Sequence, residues 1–181
     1  MRDRSAPGFL TPFLARMRVR AALPHVRGSV LDHGCGFGAL APYVPPARYL
    51  GFDINEGSLE DARARNPSHR FTSELPVDTT FDTVVSMAVI EHVDDPAAYL
   101  RGLTAFVGEG GRVVLTTPRP SWNSVYALGA RLGLFSATAN EEHSLVGKAA
   151  ITEASLTAGL RVVHFESFLA GANQLAVLQP D

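Results

Sequence analysis

The sequence predicts an α/β fold: a doubly wound sheet, mostly parallel, closed by an antiparallel pair of strands. Three observations carry this reading. Short apolar runs that read as buried strands are interleaved with helical stretches over much of the chain. The first run leads into a glycine-rich turn, and the second ends on an acid about twenty residues past the first glycine. The last two apolar runs, 161–168 and 174–179, follow each other with only a short connection, as an antiparallel pair allows.

Composition narrows the class. A length of 181 residues suits one domain, 1–181. With a net charge of −2, nothing global argues for a nucleic-acid partner or an anionic membrane, and neither is expected. Cys35 is the only cysteine, which excludes an internal disulfide and fits a cytoplasmic setting. No apolar run is long enough to span a bilayer, and no signal peptide is expected. Oligomeric state leaves no trace in the sequence.

Residues 1–27 read as an N-terminal helical segment. A helix is expected over Phe9–Leu23, with Phe9, Phe13, Met17 and Ala21 on one face and Pro24 as its stop. The first strand is Ser29–Asp32. Gly34, Gly36 and Gly38 form the turn, with Cys35 inside it, and Phe37–Val44 reads as a helix halted by Pro45 and Pro46. Glycines let the turn adopt positive φ and let a ligand approach the backbone. A helix starting there would add unpaired N–H groups and its positive dipole end.

The second strand, Arg48–Asp53, ends on an acid at the carboxyl edge, where open α/β sheets hold their ligands. Asp53 there either accepts hydrogen bonds from two ribose hydroxyls or caps the next helix. Ile54 offers an apolar face for an adenine. A short helix over Ser58–Asn66 and a brief third strand, His69–Thr72, follow. Ser73 and Glu74 stand at the turn behind that strand. The gap to the fourth strand, Phe81–Met87, is too short for a full crossover helix. Asp95 and Pro96 read as the cap and first residue of a helix over 97–106. Gly108–Gly111 is a turn, Arg112–Thr117 a fifth strand and Thr152–Ala158 a helix.

The acid before the glycines is informative. A carboxylate at Asp32 would repel a pyrophosphate but attract a ligand bearing an amino group and a sulfonium. The stretch L-D-H-G-C-G-F-G resembles motif I of the class I S-adenosylmethionine-dependent methyltransferases. The stretch F-D-T-V-V-S-M-A-V-I-E-H-V-D-D-P resembles the segment after the fourth strand in small-molecule methyltransferases of the ubiquinone and menaquinone biosynthesis group. The resemblance implies a Rossmann-like, seven-stranded sheet. It implies S-adenosyl-L-methionine as cofactor, held by Asp32, Gly34, Cys35, Gly36, Gly38, Asp53 and Ile54, with Ser73, Glu74 and Met87 at its edges. It also implies a small-molecule acceptor, with the methylated atom (O, N or C) open.

Two histidines are catalytic candidates. His92, in I-E-H, either pins its loop or orients the acceptor. His143, in E-E-H-S-L, is either a surface histidine or a general base whose neighbours Glu141 and Glu142 fix its tautomer. The segment 119–147, with Trp122, Tyr126 and Phe135, is too long for a simple connection and reads as a lid over the acceptor site. Some quinone-pathway relatives bind a divalent ion through an acid three residues before the Glu-His pair. Here that residue is Ala88, so no metal is expected in the reaction. Two other readings stay open: an NAD(P)-dependent oxidoreductase, and a nucleotide-binding protein of this fold that does not turn over.

Overall fold

The computed structural model describes residues 11–119 and 146–181. Seven strands form one sheet in the order β3-β2-β1-β4-β5-β7-β6. They are β1 (Val30–His33), β2 (Tyr49–Phe52), β3 (Arg70–Thr72), β4 (Phe81–Met87), β5 (Val107–Pro118), β6 (Leu160–Phe168) and β7 (Asn173–Pro180). The first five are parallel, and β7 runs antiparallel to both β5 and β6. The carboxyl ends of β1, β2 and β4 therefore share one rim. The β6–β7 turn reaches the same rim, because Asn173 pairs with Pro118 at the end of β5.

Both faces of the sheet are covered. Leu31, Val84 and Leu115 pack with Leu100 and Leu103 of α3 (Pro96–Thr104) and Ile151 of α4 (Lys148–Thr157). Val30, Val85, Val114 and Val177 pack on the other face with Val19 and Ala22 of α1 (Thr11–Ala22). Strands buried on both faces read as continuous apolar runs, which is why β4 and β7 stand out in the sequence. The helix starts follow their caps. The Asn55 side chain accepts the Ser58 N–H at the head of α2 (Glu56–Arg65), and Asp95 accepts the Ala98 N–H at the head of α3.

Four expectations are corrected. First, no α-helix follows the glycine turn; only two short 3-10 turns form before β2, Ala41–Tyr43 and Pro46–Arg48. Gly36 and Gly38 sit at φ of 51° and 73°, outside helical space, and Pro42 lacks the N–H that a longer helix needs. Second, α1 buries Val19 and Ala22, while Phe13 is 51 % exposed. Third, Gly108–Gly111 belongs to β5, where the pairing with β4 shifts register between Phe81 and Thr83. Fourth, α4 starts at Lys148, a turn earlier than expected. As expected, β3 passes to β4 through 73–80 without a helix.

Candidate functional site

The site is built from the carboxyl ends of β1, β2 and β4. The Gly34 and Cys35 N–H groups both donate to the Phe52 carbonyl, at 2.8 and 2.9 Å, which ties the glycine turn to the end of β2. Gly34 has φ 76°, and a Cβ there would approach Val89 Cγ2 to 2.5 Å, so the turn lies against the loop after β4. Gly36 differs: a Cβ there would meet no heavy atom within 4 Å. Its backbone faces open space, as a cradle for a ligand requires.

Asp53 closes the cradle. Its Oδ2 accepts the Gly36 N–H at 2.8 Å and its Oδ1 accepts the Asn55 N–H at 2.8 Å. These bonds fix the carboxylate plane. A carboxylate has about four acceptor positions, so each oxygen keeps one for a further donor. Ile54, the next residue, is 86 % exposed. The Asp53 N–H donates to the Thr72 carbonyl, which brings the turn of Ser73 and Glu74 beside it. Both residues are exposed there; Ser73 bonds Glu56, and the Glu74 backbone is held by the Thr72 hydroxyl.

Asp32 is enclosed rather than open to the crevice. It is 1 % exposed, and its Oδ2 accepts the Tyr49 hydroxyl at 2.7 Å. Its Oδ1 is buried with no partner in the protein. Burial raises the Asp32 pKa to about 7, the Tyr49 hydroxyl opposes this, and the Asp53 charge adds to it. An unpaired buried acceptor beside the glycine turn is the feature that a ligand ammonium would satisfy.

The other expected residues take varied places. Cys35 is buried, with Sγ 3.0 Å from where a Cβ on Gly51 would lie, so its side chain fills the sheet and only its backbone lines the turn. Burial pushes its thiol pKa up. Gly38 also packs inward, against Phe71 and Asn66. Met87 ends β4 half-buried. Ala88 follows in left-handed backbone, φ 58°, with its N–H on the Thr116 carbonyl. His92 is exposed in the 3-10 turn Ile90–His92. His143 and the lid read over 119–147 fall outside the described residues, apart from Arg119, Val146 and Gly147.

Two polar groupings escape a sequence reading. On the α3 face of the sheet, His33 Nδ1 lies 3.1 Å from the Tyr99 hydroxyl, which lies 2.8 Å from Ser86 Oγ. Burial lowers the His33 pKa, against the pull of Asp53, which favours the neutral ring. Strand alternation puts His33 opposite Asp32, which was a usable signal; Tyr99, on α3, left none. Beside them, Glu91 is buried and accepts the Thr117 hydroxyl at 3.0 Å. The second grouping, His25 with His164 and Glu166, lies at the β6 edge.

The rim thus offers fixed acceptors, open backbone and an exposed apolar side chain. A profile of the methyltransferase-domain family matches residues 3–165. This chain belongs to that family. The ubiquinone biosynthesis O-methyltransferase of Bordetella pertussis is 34 % identical over 102 residues, covering 49 % of this chain and 42 % of that protein. The ubiquinone biosynthesis O-methyltransferase of Dinoroseobacter shibae is 38 % identical over 105 residues, covering 49 % and 40 %. The fold is that of the magnesium protoporphyrin IX methyltransferase of Synechocystis PCC 6803, solved with bound S-adenosylhomocysteine. Its TM-score is 0.71 at 18 % identity, over 92 % of this chain and 83 % of that one. The matched region spans under half the length of these curated relatives. S-adenosylmethionine is the cofactor this membership brings, and the rim fits it. The fit rests on the orphaned Asp32 oxygen, the open face of Gly36 and the remaining acceptor positions of Asp53.

Proposed function

We propose that this chain catalyses methyl transfer from S-adenosylmethionine to a small-molecule acceptor. The observation that carries this is the Asp53 carboxylate, locked by the Gly36 and Asn55 N–H groups with an acceptor position left on each oxygen. Two such positions suit the two hydroxyls of a ribose. Ile54 would lie against the adenine, and the Gly34–Gly36 backbone would line the amino-acid end. Asp32 would take the ammonium, which supplies the partner its Oδ1 lacks.

The cofactor, when bound, supplies an activated methyl on a sulfonium; the protein then has to orient, desolvate and, for a protonated acceptor, take up a proton. Asp53 and Asn55 set the ribose and hence the direction of the methyl. The buried Ser86 and the half-buried Tyr99 and His33 hold the end of β4 against α3 and β1 on the other face. His92 is a proton acceptor or orienting group on the exposed side of the rim, and His143 is a second candidate base in a lid drawn over 119–147. We read the whole of 1–181 as one cytoplasmic unit, with no nucleic acid as substrate. Among the described residues no helix is long and apolar enough to cross a membrane.

The NAD(P)-dependent alternative is disfavoured by the same rim. A pyrophosphate is held at a helix N-terminus after the glycine turn, and here that helix is absent. Asp32 would add repulsion. Titration calorimetry tests the choice: S-adenosylhomocysteine should bind, and NADH should give no heat. The opposite pattern would refute the proposal. His143→Ala should slow turnover on the true acceptor and leave cofactor affinity unchanged; wild-type turnover would remove the base assignment.

A further inference from the structure

At the outer edge of the sheet, three side chains with metal-ligating atoms converge. His25 closes the 3-10 turn Leu23–His25 that follows α1, while His164 and Glu166 lie on the edge strand β6. Their ligand atoms all lie within 4.8 Å of one another, with His164 Nε2 3.5 Å from Glu166 Oε2. The two imidazoles face each other at 4.6 Å between centroids, tilted by 37°.

The local backbone explains the convergence. His164 pairs with Val177 and Glu166 with Leu175, and both partners belong to the core under α1. Residues two apart on a strand share a face, so His164 and Glu166 point to the side where α1 ends. The pairing of β6 slips between Val162 and His164, an irregularity of the kind that re-aims a side chain. The cluster is four strand spacings from β1, about 19 Å at 4.8 Å per strand. It is therefore separate from the cradle at Asp53.

We propose that His25, His164 and Glu166 form a site for a divalent cation of the zinc class. Two neutral imidazoles and one carboxylate are a common donor set for such ions, with remaining positions open to water. A tetrahedral ion with bonds of about 2.1 Å holds its ligand atoms about 3.4 Å apart, so the widest pair here must close by up to about 1.4 Å. His164 and Glu166 have side chains 42 % exposed, which leaves them free to adjust. The Arg112 guanidinium works against a cation here, and the Glu166 carboxylate offsets it. A bound ion would clip the end of α1 to β6, an edge strand with no neighbour on its outer side among the described residues.

The test is a zinc titration of the tag-free full chain, followed by equilibrium dialysis and thermal melting. Wild type should retain about one zinc per chain and melt at a higher temperature with zinc than without. His164→Gln and Glu166→Gln should each lose both effects while keeping their circular dichroism and S-adenosylhomocysteine binding. Cobalt in place of zinc should give wild type a visible d–d absorption that both variants lack. No retained zinc in wild type, or equal retention in the two variants, would overturn the site. Neither outcome bears on methyl transfer, because cofactor binding is read separately.

Discussion

The rim at the carboxyl ends of the strands and the sheet beneath it obey different rules. In the sheet, Leu175, Ala176, Val177 and Leu178 of β7 are buried to 1 % exposure or less, and the strand is paired on both sides. On the rim, local rules are broken repeatedly. Three of the four non-glycine residues with positive φ among the described residues lie there: Ala88, Leu169 and Ala170. Two buried polar atoms without partners, Asp32 Oδ1 and Thr116 Oγ1, lie near the same strand ends. Of these, Ala88 and the Asp32 oxygen flank the glycine turn where a ligand is to be held, and the close-packed strands below make such local strain tolerable.

Cutting the sheet should therefore cost stability and little else. Leu175→Ala is expected to lose about 2–5 kcal/mol, from lost burial and the cavity left behind. Chemical denaturation checks this. Cofactor affinity, measured where the variant is folded, should stay near wild type, and a selective loss of affinity would blur the distinction between the two regions.

Relieving the rim should do the reverse. The folded pKa of Asp32 is raised from 3.8 to about 7, so the folded state holds its proton more tightly than the unfolded one. The contribution of this group is most favourable below about pH 4 and is lost as pH rises to about 7. At about 1.4 kcal/mol per pH unit the loss is about 4 kcal/mol. Asp32→Asn should remove this term: relative to wild type, the unliganded variant gains stability between pH 4 and 7. Cofactor binding should weaken. Melting temperatures of both proteins across that range decide it, and parallel curves would show that Asp32 is not held protonated by its surroundings.

The β6–β7 turn gives a smaller effect. Leu169 and Ala170 both sit at positive φ, 53° and 52°, and the Gly171 N–H donates to the Phe168 carbonyl, a geometry that favours glycine or asparagine. Ala170→Gly should stabilise the protein by about 1 kcal/mol. A destabilised variant would mean that side-chain contacts outweigh backbone strain there.

The comparison also explains what was legible in the sequence. Strand β4 and the Asp95 cap were readable because continuous apolar runs and caps are local rules. The closing hairpin was readable as two neighbouring strand-like runs. Asp53 was placed by spacing from the glycines, and its position at the end of β2 agrees. The missing helix after Gly38 was misread because a G-x-G-x-x-A pattern carries a helix by habit, whereas Gly36, Gly38, Pro42 and Pro45 leave too few helix-compatible residues in a row. Tyr49 as the partner of Asp32, Tyr99 beside His33 and His25 beside His164 are contacts between distant segments. No periodicity encodes them.

The most direct test of the central claim is S-adenosylhomocysteine affinity in wild type and Asp53→Ala. The variant should bind more weakly by about 1–3 kcal/mol, the cost of leaving the ribose donors unpaired. Asn55, which caps α2 through its own side chain, should keep the helix intact, so the circular dichroism should match wild type. Equal affinity in the two proteins, with both folded, would contradict the assignment of this rim as the cofactor site.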